Sequence, residues 1–382
     1  VSRQGIAVRA GAIRVALGMG ALLSAFWLAG CSADKPPPTP LEAYTPRIAG
    51  KQVWERSLGT PAPHLSVAVV DGRFLLASRS GEIVTFDAAT GAELSRVSIS
   101  GRVLAGVGAD SRFAAVVTDA NELVVADAKQ ERWRIALPSP VVTAPLVAGG
   151  RVFLLAVDRS VSAYDVLDGR RLWTYTRPGE PLALSQPGVL LPYRDTLLVG
   201  VGSRLVGLDP LQGTVRSDTL LATPRGTNEV ERLADLVGPA ARAGETVCVR
   251  SFQVAVGCLS AERASLLWSR NQGGFQGLAV DADQVYTADA NDRISVWKRS
   301  SGDLAWTTER LRHRGLSAPL AVGSTVLFGD ADGWIHFLGR ERGETQLRLP
   351  TDGSPVVAAL VRSQTTVLAV TRKGGLFAFR PE

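Results

Sequence analysis

The chain has 382 residues, of which 46% are hydrophobic and 20% charged, with 39 glycines and 21 prolines; this excludes wholesale disorder, collagen and coiled coil, and points to a globular chain rich in turns. Three cysteines are too few for a disulfide-built miniprotein, and His64, His313 and His336 lie too far apart for a local metal motif. The net charge of +6 is carried mostly by arginine, since only five lysines occur, and removing the three positive charges of Arg3, Arg9 and Arg14 leaves +3, with no basic stripe for nucleic acid.

Residues 1–30 read as an export signal. The three arginines precede an apolar run from Val15 to Ala29, which ends in Leu28-Ala29-Gly30-Cys31. Fifteen helical residues cover about 22 Å, short of the ~30 Å hydrocarbon core, so a signal peptide fits better than a membrane span. Small residues before a cysteine resemble a lipobox. Cys31 is then the lipidated mature N-terminus, and three acyl chains make a stable anchor. Ser32, where an Asp would signal inner-membrane retention, favours the outer membrane. Residues 31–50, polar and proline-rich, read as that cysteine followed by an extended tether.

From residue 51 to 382 one unit of about forty residues recurs. Its clearest copy runs from Ala144 to Trp173: a short apolar strand, a glycine turn, a β-branched strand, a polar turn, an alternating strand ending near Asp, an xG turn, and a strand bearing Trp. Further copies contain Ala290-Asn-Asp-Arg-Ile294 through Trp306, and Gly329-Asp-Ala-Asp-Gly-Trp334. The xG turn falls at Gly91, Gln130, Gly169, Gly213, Arg263, Gly302 and Gly343, with spacings of 39, 39, 44, 50, 39 and 41; Gln130 and Arg263 are degenerate. Glycine there supplies the positive φ of a tight hairpin. Four short strands per unit are the mark of a propeller blade. Helix signals are nearly absent, Asn228–Val237 being the best candidate for a turn or two.

Seven units carry the xG turn, and an eighth begins at Pro355 and stops after about three strands. Gln52-Val-Trp-Glu-Arg-Ser-Leu58 matches the Trp-bearing strand and can complete it, which removes the open edges. The fold is therefore read as all-β, an eight-bladed propeller of four-stranded antiparallel blades closed by the N-terminal strand, with a seven-bladed ring as the alternative. Trp54, Trp133, Trp173, Trp268 and Trp306 recur on the last strand of a unit and read as packing between blades.

The spacings of 44 and 50 mark insertions at Pro178–Gly188 and Thr223–Pro239. Each joins the last strand of one blade to the first of the next, so both emerge on one face, flanking one blade. They carry Leu182, Leu184, Glu229, Glu231, Arg232 and Asp235, and apolar side chains on a polar-rimmed loop suit a protein contact. Arg310, Arg312, His313 and Arg314 form a basic bend that reads as a solvated turn. Thr246–Arg250 and Val254–Leu259 read as two strands joined near Gln253. That centre sets Cys248 opposite Cys258, close enough for a disulfide in an oxidising compartment; a register shifted by one residue would leave two free thiols on opposite faces.

The turn pattern Ala/Val-x-Asp-Gly followed by Leu-Trp resembles the repeats of quinoprotein dehydrogenases. Those enzymes imply a calcium site, a catalytic Asp and a vicinal cysteine pair, whereas Cys248 and Cys258 are ten apart and no Asp/Asn/Glu set stands out. No Ser-His-Asp arrangement, phosphate loop or metal cluster is evident, and the sequence is read as binding no cofactor and no metal. The lipobox, tether and repeats together resemble the BamB family of outer-membrane assembly lipoproteins. The likeness is strongest at Gly226-Thr-Asn-Glu-Val-Glu-Arg-Leu-Ala-Asp-Leu236 and at Ala290-Asn-Asp-Arg-Ile294, and also covers Leu316-Ser-Ala-Pro-Leu320 with Phe328-Gly-Asp-Ala-Asp-Gly-Trp334. It implies a non-enzymatic scaffold, lipid-anchored at Cys31 on the periplasmic face of the outer membrane. The partners it implies are a BamA-like barrel-inserting protein, bound through its POTRA domains, other assembly-machinery lipoproteins and unfolded outer-membrane proteins. The membrane is met through the lipid alone, and no nucleic acid is bound. The family's partner motif resembles Leu-x-Leu-Arg in the first loop and Asp-x-Asp in the second: Leu182, Leu184 and Asp235 match, with Arg232 beside them, while Ser185 and Val237 replace the Arg and the second Asp.

Overall fold

Short β-branched runs punctuated by glycine and Asp turns can bury both faces only by stacking sheet on sheet, and here they do so in a ring. The computed structural model describes residues 36–177, 182–224 and 226–381, and Cys31 and the signal segment lie outside them. The described secondary structure is entirely strand and turn. Eight four-stranded antiparallel sheets follow in chain order: blade 1 over 68–98, blade 2 over 103–136, blade 3 over 146–175, blade 4 over 190–220, blade 5 over 236–271, blade 6 over 279–308, blade 7 over 320–350, and blade 8 over 361–381. Strands are lettered a to d from the axis to the rim. A two-residue strand, His64–Leu65, adds a short parallel pairing to the inner edge of blade 2.

The eight-bladed expectation holds, and so does its closure. Gly50–Ser57 pairs antiparallel with Gly375–Pro381 as strand d of blade 8. The core lies between the blades: eight buried apolar clusters each join neighbouring sheets, as where Phe74, Leu76 and Phe86 of blade 1 meet Leu368, Val370 and Leu376 of blade 8.

One device recurs at five junctions. A bulge early in strand d turns a tryptophan toward the following blade. Its indole N–H donates to a turn carbonyl there: Trp54 to Ala88 (3.0 Å), Trp133 to Val166 (2.8 Å), Trp173 to Pro210 (3.1 Å), Trp268 to Arg299 (2.7 Å) and Trp306 to Arg340 (2.6 Å). Three residues past each acceptor sits the glycine of the xG turn. At Gly213, φ is +72°, and a Cβ would lie 2.5 Å from the Trp173 ring. The glycine thus serves the turn and the indole at once. The degenerate turns follow from this. Where strand d carries Ser95 or Ser217 in place of tryptophan, the next blade has no glycine to protect: the turn of blade 2 is shortened, and that of blade 5 carries Ala264 at φ +51°. The residue that takes the glycine's place in the fifth turn is thus Ala264, one residue beyond Arg263.

Two local readings change. Within the stretch read as a tether, the part from Thr39 is laid along the rim of blades 6 and 7. The Thr39 N–H donates to the Arg312 carbonyl (2.9 Å), Leu41 joins the core between those blades, and the Tyr44 hydroxyl accepts the Arg348 N–H (2.7 Å). Nor is the basic bend wholly solvated. Arg314 is buried, with Nε donating to Asp330 (2.8 Å) and Nη2 to Asp332 (2.5 Å), while Arg310 and Arg312 stay half-exposed beside Glu42 and Glu309.

Candidate partner-binding face

Antiparallel order sorts the connections of every blade. The d-to-a connections and b–c turns lie on one face of the ring, and the a–b and c–d turns on the other. The two long insertions, before and after blade 4, therefore share a face, together with the b–c turn of blade 3 that holds Arg159.

The second insertion is built on one turn, not a helix. The side chain of Asn228 accepts the Glu231 N–H (2.9 Å), the Arg232 N–H closes on the Asn228 carbonyl (3.2 Å), and the Glu231 carboxylate accepts the N–H (2.7 Å) and hydroxyl (3.1 Å) of Thr227. These local bonds hold Val230 outward, 68% exposed. The chain then turns inward. The Ala234 carbonyl accepts the Ser251 hydroxyl (2.7 Å), and the first strand of blade 5 begins at Leu236. The first insertion is pinned at its end, where the Gly188 N–H donates to Thr143 Oγ1 (2.9 Å), Gly188 bridges Val237, and the Gly238 N–H donates to the Pro187 carbonyl (2.9 Å).

Asp235 joins the two insertions. Arg159, at φ +66° in its turn, places Nε 2.7 Å from one carboxylate oxygen and Nη2 3.1 Å from the other. The same Nη2 donates to the Leu182 carbonyl (2.8 Å), and the Leu184 N–H donates to Asp235 (3.3 Å). Both side chains of the ion pair are largely buried, at 16% and 13% exposed. Asp235 therefore faces inward as an organiser, and it sets Leu182 and Leu184, each half-buried, on the surface between the loops.

Arg232 is half-buried and lines a cleft of about 150 Å³ with Arg159, Arg177, Arg204 and Asp235. Arg177 and Arg204 both bond to Asp218. Burial pushes that carboxyl up, but the two guanidiniums outweigh it and hold Asp218 below the usual range. Ser185 is exposed, while Val237 is a buried strand residue opposite Arg250, an environment that suits valine rather than a second Asp. Arg159, Arg177 and Arg204 were not singled out from sequence. Arg159 in a b–c turn and Arg204 at the strand start just after one are the signal that could have found them, since blade order alone puts those turns on the insertion face. Away from this face, Cys248 lies opposite Cys258 and their sulfurs are bonded at 1.96 Å, buried between blades 5 and 6.

The inner strands surround a channel of about 640 Å³ lined mainly by Val, Leu, Ala and Pro, with His64 and Arg242 as its titratable groups. Among the described residues no carboxylate or side-chain amide lines it, and no cluster of three or more His, Cys, Asp or Glu could hold a metal ion. The residues do not fit a calcium-bound quinone.

Ring, repeat grammar and closure together define an eight-bladed propeller of the quinoprotein-like class. The family described as outer membrane protein assembly factor BamB matches residues 41–105 and 79–308. The assembly factor BamB of Burkholderia pseudomallei (strain K96243) is 31% identical over 360 residues, covering 92% of this chain and 94% of that one. The chain belongs to the BamB family. Its fold is that of the crystal structure of BamB from Moraxella catarrhalis, with a TM-score of 0.79 at 21% identity over 87% of this chain and all of that one. The quinohemoprotein alcohol dehydrogenase of Comamonas testosteroni shares the ring at a TM-score of 0.66 and 15% identity, over 87% of this chain and 76% of that one.

Proposed function

We propose that this assembly factor is a non-enzymatic lipoprotein scaffold, anchored at Cys31 on the periplasmic face of the outer membrane. It holds the POTRA domains of a BamA-like barrel-inserting subunit while outer-membrane proteins are inserted. The observation that carries this reading is the ordered pair of insertions. The Arg159–Asp235 ion pair locks two loops from either side of blade 4 together and leaves Leu182 and Leu184 at the surface, with Arg232 beside Asp235. A preorganised apolar patch with a charged rim loses little entropy on docking. Further assembly lipoproteins and unfolded barrel proteins are partners on the same reading. The dehydrogenase alternative has the ring in its favour, but the apolar channel offers no groups for its chemistry.

The test is affinity capture from detergent-solubilised membranes with Leu182→Asp combined with Leu184→Asp. Both residues lie outside the strands, so circular dichroism is expected to stay unchanged while recovery of the barrel protein falls about thirtyfold, the effect of losing a hot spot of about 2 kcal/mol. Undiminished capture by the folded variant would move the contact elsewhere on the ring.

A further inference from the structure

Five of the eight junctions are closed by an indole; those after blades 1, 4 and 7, where Ser95, Ser217 and Leu347 stand at the tryptophan register, are not, and the junction between blades 1 and 2 leaves a cavity. At the tryptophan register of blade 1, immediately after the bulge, stands Ser95, opposite Thr85. The turn an indole would meet is two residues shorter than its counterpart in blade 1: the Asp127 N–H closes on the Gln130 carbonyl, where the Asp87 N–H closes on that of Ala92. The buried cluster at this junction is built of Ala, Val and Ile, with no aromatic ring.

A cavity of about 290 Å³ remains, with Ser95 in its wall. Val70, Leu75, Ile83 and Val97 are apolar lining, and Leu94, Arg112 and Ala128 are exposed at its margin. This is at the small end of ligand pockets, the scale of one side chain rather than a cofactor. Ala128 holds the sequence position of Ala88, whose carbonyl accepts the Trp54 N–H, but on the shorter turn it is exposed where Ala88 is buried. Two carboxylates and two guanidiniums share the margin. One oxygen of Asp110 is engaged by the Arg112 and Phe113 N–H groups, and one of Asp127 by those of Lys129 and Gln130. Arg73 and Arg112 stand beside them, with the Arg112 guanidinium 5.1 Å from the centre of the Phe113 ring.

We propose that this cavity is a receptor for a tryptophan side chain presented by a loop of a partner protein, which completes at blades 1 and 2 the packing that the chain's own tryptophans supply at five other junctions. The cavity lies among a–b and c–d turns, on the face opposite Leu182 and Asp235, so it is independent of the surface proposed above.

The test is methyl NMR on the full chain, titrated with the capped tripeptides Gly-Trp-Gly and Gly-Leu-Gly. The tryptophan peptide is expected to give saturable shifts at the methyls of Ile83, Leu94 and Val97, and the leucine peptide to bind at least about tenfold more weakly, lacking both the N–H and the π face. Ser95→Trp, which fills the cavity from within, is expected to abolish the response; should that variant not fold, Ser95→Leu serves with the same expectation. No shifts, equal binding of the two peptides, or a response that survives in the folded variant would each overturn the proposal.

Discussion

Asp330 shows what a buried charge requires in this ring. It is inaccessible to solvent, yet its oxygens accept from Arg314 Nε (2.8 Å), from His336 at Nε2 (2.9 Å), and from the Asp332 and Trp334 N–H groups (3.0 and 2.8 Å). Burial pushes its carboxyl up, and these partners outweigh it and hold it below the usual range. Burial pushes the His336 imidazole below its ordinary value. As pH falls through that ordinary value of about 6.5, the unfolded chain takes up a proton more readily than the folded one, and stability falls. Asp330 has the same sign below 3.8. Chemical denaturation between pH 7.5 and 5 is expected to show the loss, at up to about 1.4 kcal/mol per pH unit per proton, and His336→Gln to flatten the slope by His336's share. Equal slopes in the two proteins would refute the assignment. The Arg159–Asp235 pair is the matching case on the insertion face. Asp235→Asn is expected to cost about 1–3 kcal/mol and to speed hydrogen exchange at the Leu184 amide, which it holds; unaltered exchange there would show that the loops are ordered without it.

At the scale of elements, tryptophan and glycine act as a pair across blades. Trp173→Ala removes a ring wedged between blades 3 and 4 and is expected to cost about 3–5 kcal/mol in urea denaturation. Gly213→Val drives a Cβ to within 2.5 Å of that ring. Part of its cost is the clash and part is the positive φ, so in the Trp173→Ala background it should cost less than alone. Additive costs would show the glycine to serve its own turn only. The pairing also explains which elements were legible. The xG turns and the Trp strands carry local signals, a positive φ and a large ring at a fixed register. The positive-φ position of the fifth turn, Ala264, was placed one residue early because its glycine is absent, and the signal went with it.

The whole molecule is held by closure. Gly50–Ser57 supplies strand d of blade 8, and Trp54 bridges onward to blade 1. Deleting residues 50–57 is expected to leave a three-stranded blade with an open edge and an unfilled junction, and to convert a monodisperse chain into aggregates or strand-exchanged dimers by light scattering. A monodisperse, equally stable deletion would contradict the closure. The segment from Thr39 along blade 7 ties the same region to the rim.

Strand count, blade order, closure and the insertion face follow from features that are local in the chain: period-two alternation, turn residues and the forty-residue spacing. The hairpin holding Cys248 and Cys258 is of that kind too, since its centre at Gln253 sets the register by counting. Other features depend on side chains that meet across the ring. Arg159 and Asp235 are 76 residues apart, and no spacing announces that one claims the other and turns it from contact to organiser. Val237 looked like a lost charge until the strand placed it in the interior. Arg314 looked solvated until Asp330 came to lie beneath it. Burial is a property of the assembled junctions, so the tertiary structure alone decided which charges face water, which are spent inside, and where a missing tryptophan leaves room.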